Sequence, residues 1–430
     1  MPRVIGLDFG TTNSAIAVAT ADGAAQLASF SADRQSTAMF RSVLYFDPEN
    51  LEPTGKPRAI GGPEAISQYL QAETKGRLIQ SMKSHLGSPL FKQTVIFNYT
   101  FTLEELIAMI LHELRSAAEK QFGDLGEHVV VGRPAHFSGT ETDSEDEAAL
   151  ARLRVALEQA GFSQVEFELE PVAAAYQYEQ QLDHDELVLI ADFGGGTSDF
   201  CLIQLGPTAH ARGQRSKDIL GTDGVALAGD AFDSSFIRHL VAPHLGLGSQ
   251  YRTPFGRVLS APLWIYEKLE RWHQLSLLKT RETMESLRQL HFQSLEPRKI
   301  EALIHVVNEG LGYQLARAVE GTKCELSERT TGGFTFRDLP VDIAARVERA
   351  QFTTWIDSEL RVIAGCVDRL LTACGVTSGD VDSVFLTGGS SFVPAVRHIF
   401  AERFGESRLR GGEELTTVAR GLALRALEQR

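Results

Sequence analysis

The apolar positions of this chain follow one pattern twice. Residues 4–18 read VIGLDFGTTNSAIAV, and residues 188–203 read VLIADFGGGTSDFCLI. Each is a β-rich apolar run, then Asp-Phe-Gly and a turn of small and hydroxyl residues, then a second β-rich run. The pattern predicts two hairpins, and their likeness predicts two similar lobes facing each other across a cleft. Elsewhere the apolar period lengthens. Leu103, Leu106, Ile107, Ile110, Leu111 and Leu114 form one face of a helix over 102–122, opened by a capping box of Thr102 and Glu105. His128–Val131 predicts a short strand that ends at Gly132-Arg133-Pro134. The carboxylate-dense run 141–147 predicts the first turn of a helix, where negative charge suits the dipole, with Leu150, Leu153, Leu157 and Ala160 as its buried stripe.

A strand over Val165–Leu169 then meets Glu170-Pro171 and a short Ala-rich helix to about Gln181. Pro48, Pro53, Pro57 and Gly61-Gly62-Pro63 predict a loop-rich stretch. Residues 234–355 are mostly helical and hold Trp264, Trp272 and Trp355, which predicts an inserted helical subdomain. The pattern closes with a strand at Val384–Leu386, a turn at Thr387–Ser391, a helix from Pro394 and a last helix over Thr416–Glu428. Strands alternating with helices give an α/β fold with mixed sheets.

Bulk properties narrow the function. A chain of 430 residues is expected to form more than one domain. Its net charge of −14 argues against broad nucleic-acid or anionic-membrane binding, and we expect neither partner. A local cluster of donors and a metal can still override that field for a bound anion. Cys201, Cys324, Cys366 and Cys374 show no CxxC and no metal-type spacing, as expected of reduced thiols in a cytoplasmic protein. The first strand begins at Val4 without a signal-peptide apolar core, and no apolar run approaches the ~20 residues of a membrane span.

The turns carry the candidate chemistry. Gly10-Thr11-Thr12-Asn13 by itself is also an ordinary hairpin turn. Gly194-Gly195-Gly196-Thr197 is harder to dismiss, because consecutive glycines between strands carry an entropic cost. Glycine lets backbone N–H groups approach an anion, and Thr and Ser add hydroxyl donors. Asp8 and Asp192, at the turn entrances, suit a hydrated Mg²⁺. Together the turns predict a clamp on a polyphosphate, most simply a nucleotide. Thr387-Gly388-Gly389-Ser390-Ser391 is either a plain strand–helix turn or bare backbone for a base or ribose. On composition alone Lys83 is a surface lysine, and Glu170 is a carboxylate at a strand end that can face a cleft. No histidine has zinc-type or triad-type spacing, and no nucleophilic Ser or Cys signature is present.

The order and spacing of GLDFGTTNS, VVVGRPAHF, ELEPVAAAY, ADFGGGTSDF, LAGDAFD and VFLTGGSSFVP closely resemble the nucleotide-binding domain of the DnaK-type heat-shock chaperones, within the actin, sugar-kinase and heat-shock ATPase superfamily. The resemblance runs from Val4 to about Leu427. The GRPAHF variant, the longer second-lobe insertion and the end at residue 430 look most like the short YegD-like members. It implies an actin-like ATPase fold of two ribonuclease-H-like lobes around a nucleotide cleft. Lobe I would span 1–185, with a C-terminal helix 408–430 returning to it. Lobe II would span 186–407 and include the helical insertion at about 234–355.

The resemblance also implies roles, with ATP or ADP and Mg as ligands. Asp8, Asp192 and Asp199 would surround the Mg²⁺, partly through water. Gly10, Thr11, Thr12 and Asn13 would hold phosphate oxygens from one lobe, and Gly194, Gly195, Gly196 and Thr197 from the other, with Thr197 also in the catalytic set. Lys83 would be the catalytic lysine, and Glu170 would orient water. Gly229, from LAGDAFD, joins the nucleotide-binding set. Glu320, Lys323 and Ser327 would contact ribose and base, and Gly388, Gly389, Ser390 and Phe392 would carry the nucleoside. Phe392 and Cys324 stand where many relatives have basic residues, so the cationic contacts to the base are lost. Nothing in the chain matches the family's peptide-binding domain. The implied activity is slow, Mg-dependent ATP hydrolysis driving a conformational switch, in a chaperone-like protein with a protein partner or client reached through lobe II. The competing expectations are a small-molecule kinase and a nucleotide-sensing or filament-forming scaffold on the same fold.

Overall fold

The computed structural model describes residues 4–20, 24–32, 35–72, 76–213, 215–411 and 416–428. The chain forms two compact units. One comprises Met1–Gly229, Arg361–Phe392 and Val396–Arg430, and the other Asp230–Leu360 with Val393–Ala395.

Both predicted hairpins form in the first unit, and each founds a sheet of the same design. Val4–Phe9 pairs antiparallel with Asn13–Ala19, the last pair being Phe9 and Ser14, and lies parallel to His128–Arg133 on its other side. Glu186–Phe193 pairs antiparallel with Ser198–Leu205, the last pair being Phe193 and Ser198, and lies parallel to Ser383–Thr387. Gln164–Leu169 and Ala25–Leu27 complete the path of the first sheet; Ile219–Val225 and Leu409–Gly411 complete the second. In the first sheet Val4–Phe9, His128–Arg133 and Gln164–Leu169 all run parallel. Asp8, the Pro134–Ala135 segment and Glu170 therefore emerge at one sheet edge. Carboxyl-end edges of parallel strands are where such folds bind ligands.

Two helices, Glu170–Glu179 and Thr417–Glu428, join the sheets. Val172–Ala175, Val418, Ala419, Leu422 and Ala423 share one buried cluster with Val4, Ala15 and Val130 of the first sheet and Val188, Ile190 and Phe385 of the second. Small side chains bring these backbones unusually close. A Cβ on Gly421 would lie 1.7 Å from the Ala173 carbonyl oxygen, and one on Gly6 would lie 2.3 Å from the Ala423 nitrogen.

The Leu103–Phe122 helix buries the expected face, and both halves of its capping box form: Glu105 N–H donates to Thr102 Oγ1 (3.2 Å) and Thr102 N–H to Glu105 Oε2 (2.7 Å). The acidic run opens the Asp143–Gln159 helix with a second capping box, Thr142 with Glu145. Leu153, Leu157 and Ala160 are buried as expected, while Leu150 is only partly so.

Three expectations are corrected. The proline-rich stretch is not mainly loop. Val43–Leu51, Pro57–Gly61 and Arg77–Gln80 form a three-stranded sheet, with a helix at Gly62–Gln71. Pro57 opens its strand, Pro63 sits in the first turn of the helix, and Pro48 falls where the strand register shifts, all positions that need no proline N–H. The end of the supposed helical insertion is a hairpin, Thr331–Asp338 with Val341–Glu348, packed on the Gly312–Glu328 helix. Its period-2 pattern is visible afterwards, with Phe334, Phe336, Val341, Ile343 and Val347 buried. The stretch from 408, expected as helix, begins with the strand Leu409–Gly411; the helix starts at Thr417.

Candidate functional site

Five ionisable residues from distant parts of the chain meet at the shared edge of the first unit. Lys83 is buried, and its Nζ lies 2.6 Å from Glu170 Oε1. It stands on the short helical turn Met82–His85, entered through Ser81 in a left-handed conformation (φ 62°). The surface reading of Lys83 from composition is thus overturned. Burial opposes the charge of Lys83, but Glu170, Asp8 and Asp199 outweigh it and hold the ammonium above the ordinary lysine range.

The acids respond in the opposite sense. Loss of water pushes Asp8 up to about 7, the Glu170 charge adds to this, and Lys83 opposes it. Burial likewise pushes Asp199 up to about 7, again reinforced by Glu170. Asp192 is raised by burial and then by Glu170, Asp8 and Asp199. Four carboxylates face one ammonium, an excess of negative charge that cannot all persist in a dry site without a cation or protons.

Asp199 gives the clearest sign of what is wanted there. Its Oδ1 accepts the Ala135 N–H at 2.6 Å, while Oδ2 is buried without a hydrogen-bond partner. An orphaned buried carboxylate oxygen beside Asp8, Asp192 and Glu170 fits a hydrated divalent cation. Among the described residues, no group of three or more His, Cys, Asp or Glu side chains is arranged to hold a metal ion. Any such cation would therefore rely on water for much of its shell.

The turns surround these acids. A Cβ on Gly196 would lie 3.2 Å from Thr11 Oγ1, so the triple-glycine turn and the Thr-Thr turn confront each other directly. Gly10 has no room for a side chain, which would meet the Asn13 carbonyl at 2.1 Å. Asn13 Oδ1 accepts from Arg41 Nη1 at 3.2 Å, and the Thr12 carbonyl accepts the Ser42 N–H at 3.0 Å. On the other sheet, Gly194 N–H donates to the Thr197 carbonyl at 3.0 Å. The Gly194 carbonyl accepts from Gly229 N–H and Ser390 Oγ, both at 3.4 Å, with Gly195 alongside. Gly388 has φ +81° and lies against the Phe193 backbone, where a Cβ would be 2.2 Å from the carbonyl oxygen. Gly389–Phe392 form a single helical turn, and Phe392 is half exposed.

Glu320, Lys323 and Ser327 lie in the second unit, at helix spacing on Gly312–Glu328. There Lys323 pairs with Asp233, Glu320 with Arg317 at 3.0 Å, and Ser327 Oγ donates to the Lys323 carbonyl at 3.0 Å. Burial opposes the Lys323 charge, and Asp233 more than restores it.

Sequence reasoning missed four supporting residues: Ala135, Arg41, Asp233 and Asp146. By pattern Asp146 is one more carboxylate in the first turn of a helix. Instead it is buried and accepts from Phe137 N–H (2.8 Å) and Thr140 Oγ1 (2.7 Å), with His136 Nδ1 at 2.8 Å from its other oxygen. These bonds hold its carboxyl below the usual range against burial. They also fix the segment that presents Ala135 to Asp199. Asp146→Ala is expected to lower unfolding free energy by about 2 kcal/mol, because several charge-assisted bonds go at once. Denaturant titration would check this, and an unchanged midpoint would refute the bracing role.

Two sheets with the same five-strand path, sharing two central helices and turning paired hairpin turns toward each other, make this an α/β protein of the actin-like ATPase fold. A family model described as Hsp70 protein matches residues 4–245 and 299–427, and the chain belongs to that family. The family comprises chaperone-type, ATP-binding ATPases. Among the described residues no helix is long and apolar enough to cross a membrane.

Proposed function

We propose that the protein binds ATP with Mg²⁺ and hydrolyses it slowly, using the nucleotide state as a conformational switch in a chaperone-like role. The observation that carries this reading is the buried Lys83–Glu170 pair set among Asp8, Asp192 and Asp199. Phosphoryl transfer to water needs positioning and charge neutralisation more than covalent chemistry. The donors of the 10–13 and 194–197 turns hold the phosphates. Lys83 places positive charge beside the attacking water, and Glu170, fixed by Lys83, orients that water. Asp8, Asp192 and Asp199 hold the hydrated Mg²⁺, which when bound offsets the charge of the phosphates and of the acids around them. Gly388, Gly389, Ser390 and Phe392 carry the nucleoside, and Glu320, Lys323 and Ser327 remain proposed contacts to ribose and base.

The assay is Mg²⁺-dependent release of phosphate from ATP by the purified protein, with binding measured by calorimetry on the same sample. Tight binding without turnover would favour a nucleotide sensor, and substrate-dependent ADP production would favour a kinase. Asp192→Asn is expected to raise the Mg²⁺ concentration for half-maximal turnover by ~10-fold or more. An unchanged metal dependence would remove Asp192 from the metal shell.

A protein partner is proposed at the second unit. Residues 246–298 lie outside the family match, and Phe255, Leu263, Phe292 and Leu295 there are exposed. Residues 1–185 and 186–407 remain the proposed lobes, and the cytoplasm the proposed location.

A further inference from the structure

The segment Phe40–Ser42 is stitched to the first phosphate turn at three successive residues. Ser42 N–H donates to the Thr12 carbonyl (3.0 Å), Arg41 Nη1 to Asn13 Oδ1 (3.2 Å), and the Ser42 and Ser14 hydroxyls meet at 2.8 Å in the interior. Asn13 and Arg41 are also direct partners in the strand ladder, as are Ser14 and Phe40. Backbone pairing alone would hold the hairpin. It does not explain a guanidinium on the amide of Asn13.

That contact has a chemical consequence. An asparagine amide has an acceptor end and a donor end, and a phosphate oxygen can use only the donor end. With Oδ1 committed to Arg41, the Nδ2 hydrogens are turned the other way. Arg41 also brings a guanidinium charge to within one side chain of the turn, opposite in sign to the Asp8 cluster. A fixed cation gains more from a triphosphate than from a diphosphate, because the triphosphate carries the greater negative charge.

We propose that Arg41 is a positioning residue that sets the Asn13 amide for phosphate and makes the first turn discriminate ATP from ADP. The inference rests on the nucleotide reading above and adds a specificity determinant to it. Arg41 acts through Asn13 and through charge, so its signature is a changed ratio of affinities.

The test is calorimetric titration of the full chain with Mg·ATP and with Mg·ADP, for wild type, Arg41→Gln, Arg41→Lys and Arg41→Ala, with melting temperatures on the same samples. Arg41→Gln keeps a donor for Asn13 without the charge, so it guards against misfolding of the alanine variant. Arg41→Ala is expected to weaken ATP ~10-fold with ADP changed less than ~3-fold. Arg41→Lys should recover most of the loss, and Arg41→Gln should keep the wild-type melting temperature while losing part of the preference for ATP. Equal losses for ATP and ADP in the folded variants would overturn the assignment and leave Arg41 a structural brace. Wild-type protein that bound neither nucleotide would overturn the nucleotide reading itself, and this inference with it.

Discussion

Lys83→Ala is expected to lower ATP turnover by ~10²-fold or more, the scale of losing one preorganised electrostatic donor. The ammonium opposes the charges of Asp8, Glu170, Asp192 and Asp199, and it sits 2.6 Å from Glu170. Its removal takes away charge beside the reacting phosphate and frees the Glu170 carboxylate to move. Binding should survive, because the turn N–H groups and hydroxyls that grip the phosphates lie on the two hairpins and not on the Met82–His85 turn. Steady-state phosphate release and calorimetric ATP binding on one preparation would separate the two effects. Near-wild-type turnover in the mutant would reject Lys83 as the catalytic lysine.

Gly421→Ala should destabilise the fold by about 2 kcal/mol or more. Replacing a glycine in a helix usually gains up to about 1 kcal/mol. Here the new methyl would sit 1.7 Å from the Ala173 carbonyl, against rigid backbone. Neither helix can retreat, because Thr417–Glu428 also packs on the first sheet and Glu170–Glu179 on the second. The clash therefore outweighs the propensity gain. Because Glu170 opens the helix that the new methyl presses against, nucleotide turnover should fall along with stability. Thermal or urea unfolding would measure the cost, and a variant as stable as wild type would mean that the two helices are not locked at this crossing.

Local pattern was enough for much of this protein. The two hairpins, the capped Leu103–Phe122 helix, the Asp143–Gln159 helix and the Ser383–Thr387 strand all follow from side-chain period and end signals within a few residues. The proline-rich 43–80 region defeated that approach, since a proline forbids only one N–H and its effect depends on which ladder position it takes. The Thr331–Glu348 hairpin lies inside a region whose composition reads as helical, and only its regular alternation marks it.

The sequence by itself determined the twin Asp-Phe-Gly turns, and with them the prediction of phosphate chemistry, because turn-forming glycines and hydroxyls act within a few bonds of each other. Only the tertiary structure decided what Lys83, Asp146 and Arg41 do. Lys83 and Glu170 are 87 residues apart, and Ala135 and Asp199 are 64 apart. The ionic character of a side chain is fixed by its type, but its burial and partners are fixed by which strands run parallel to which edge. That edge turned a lysine of ordinary surroundings in the sequence into the buried counter-charge of four acids.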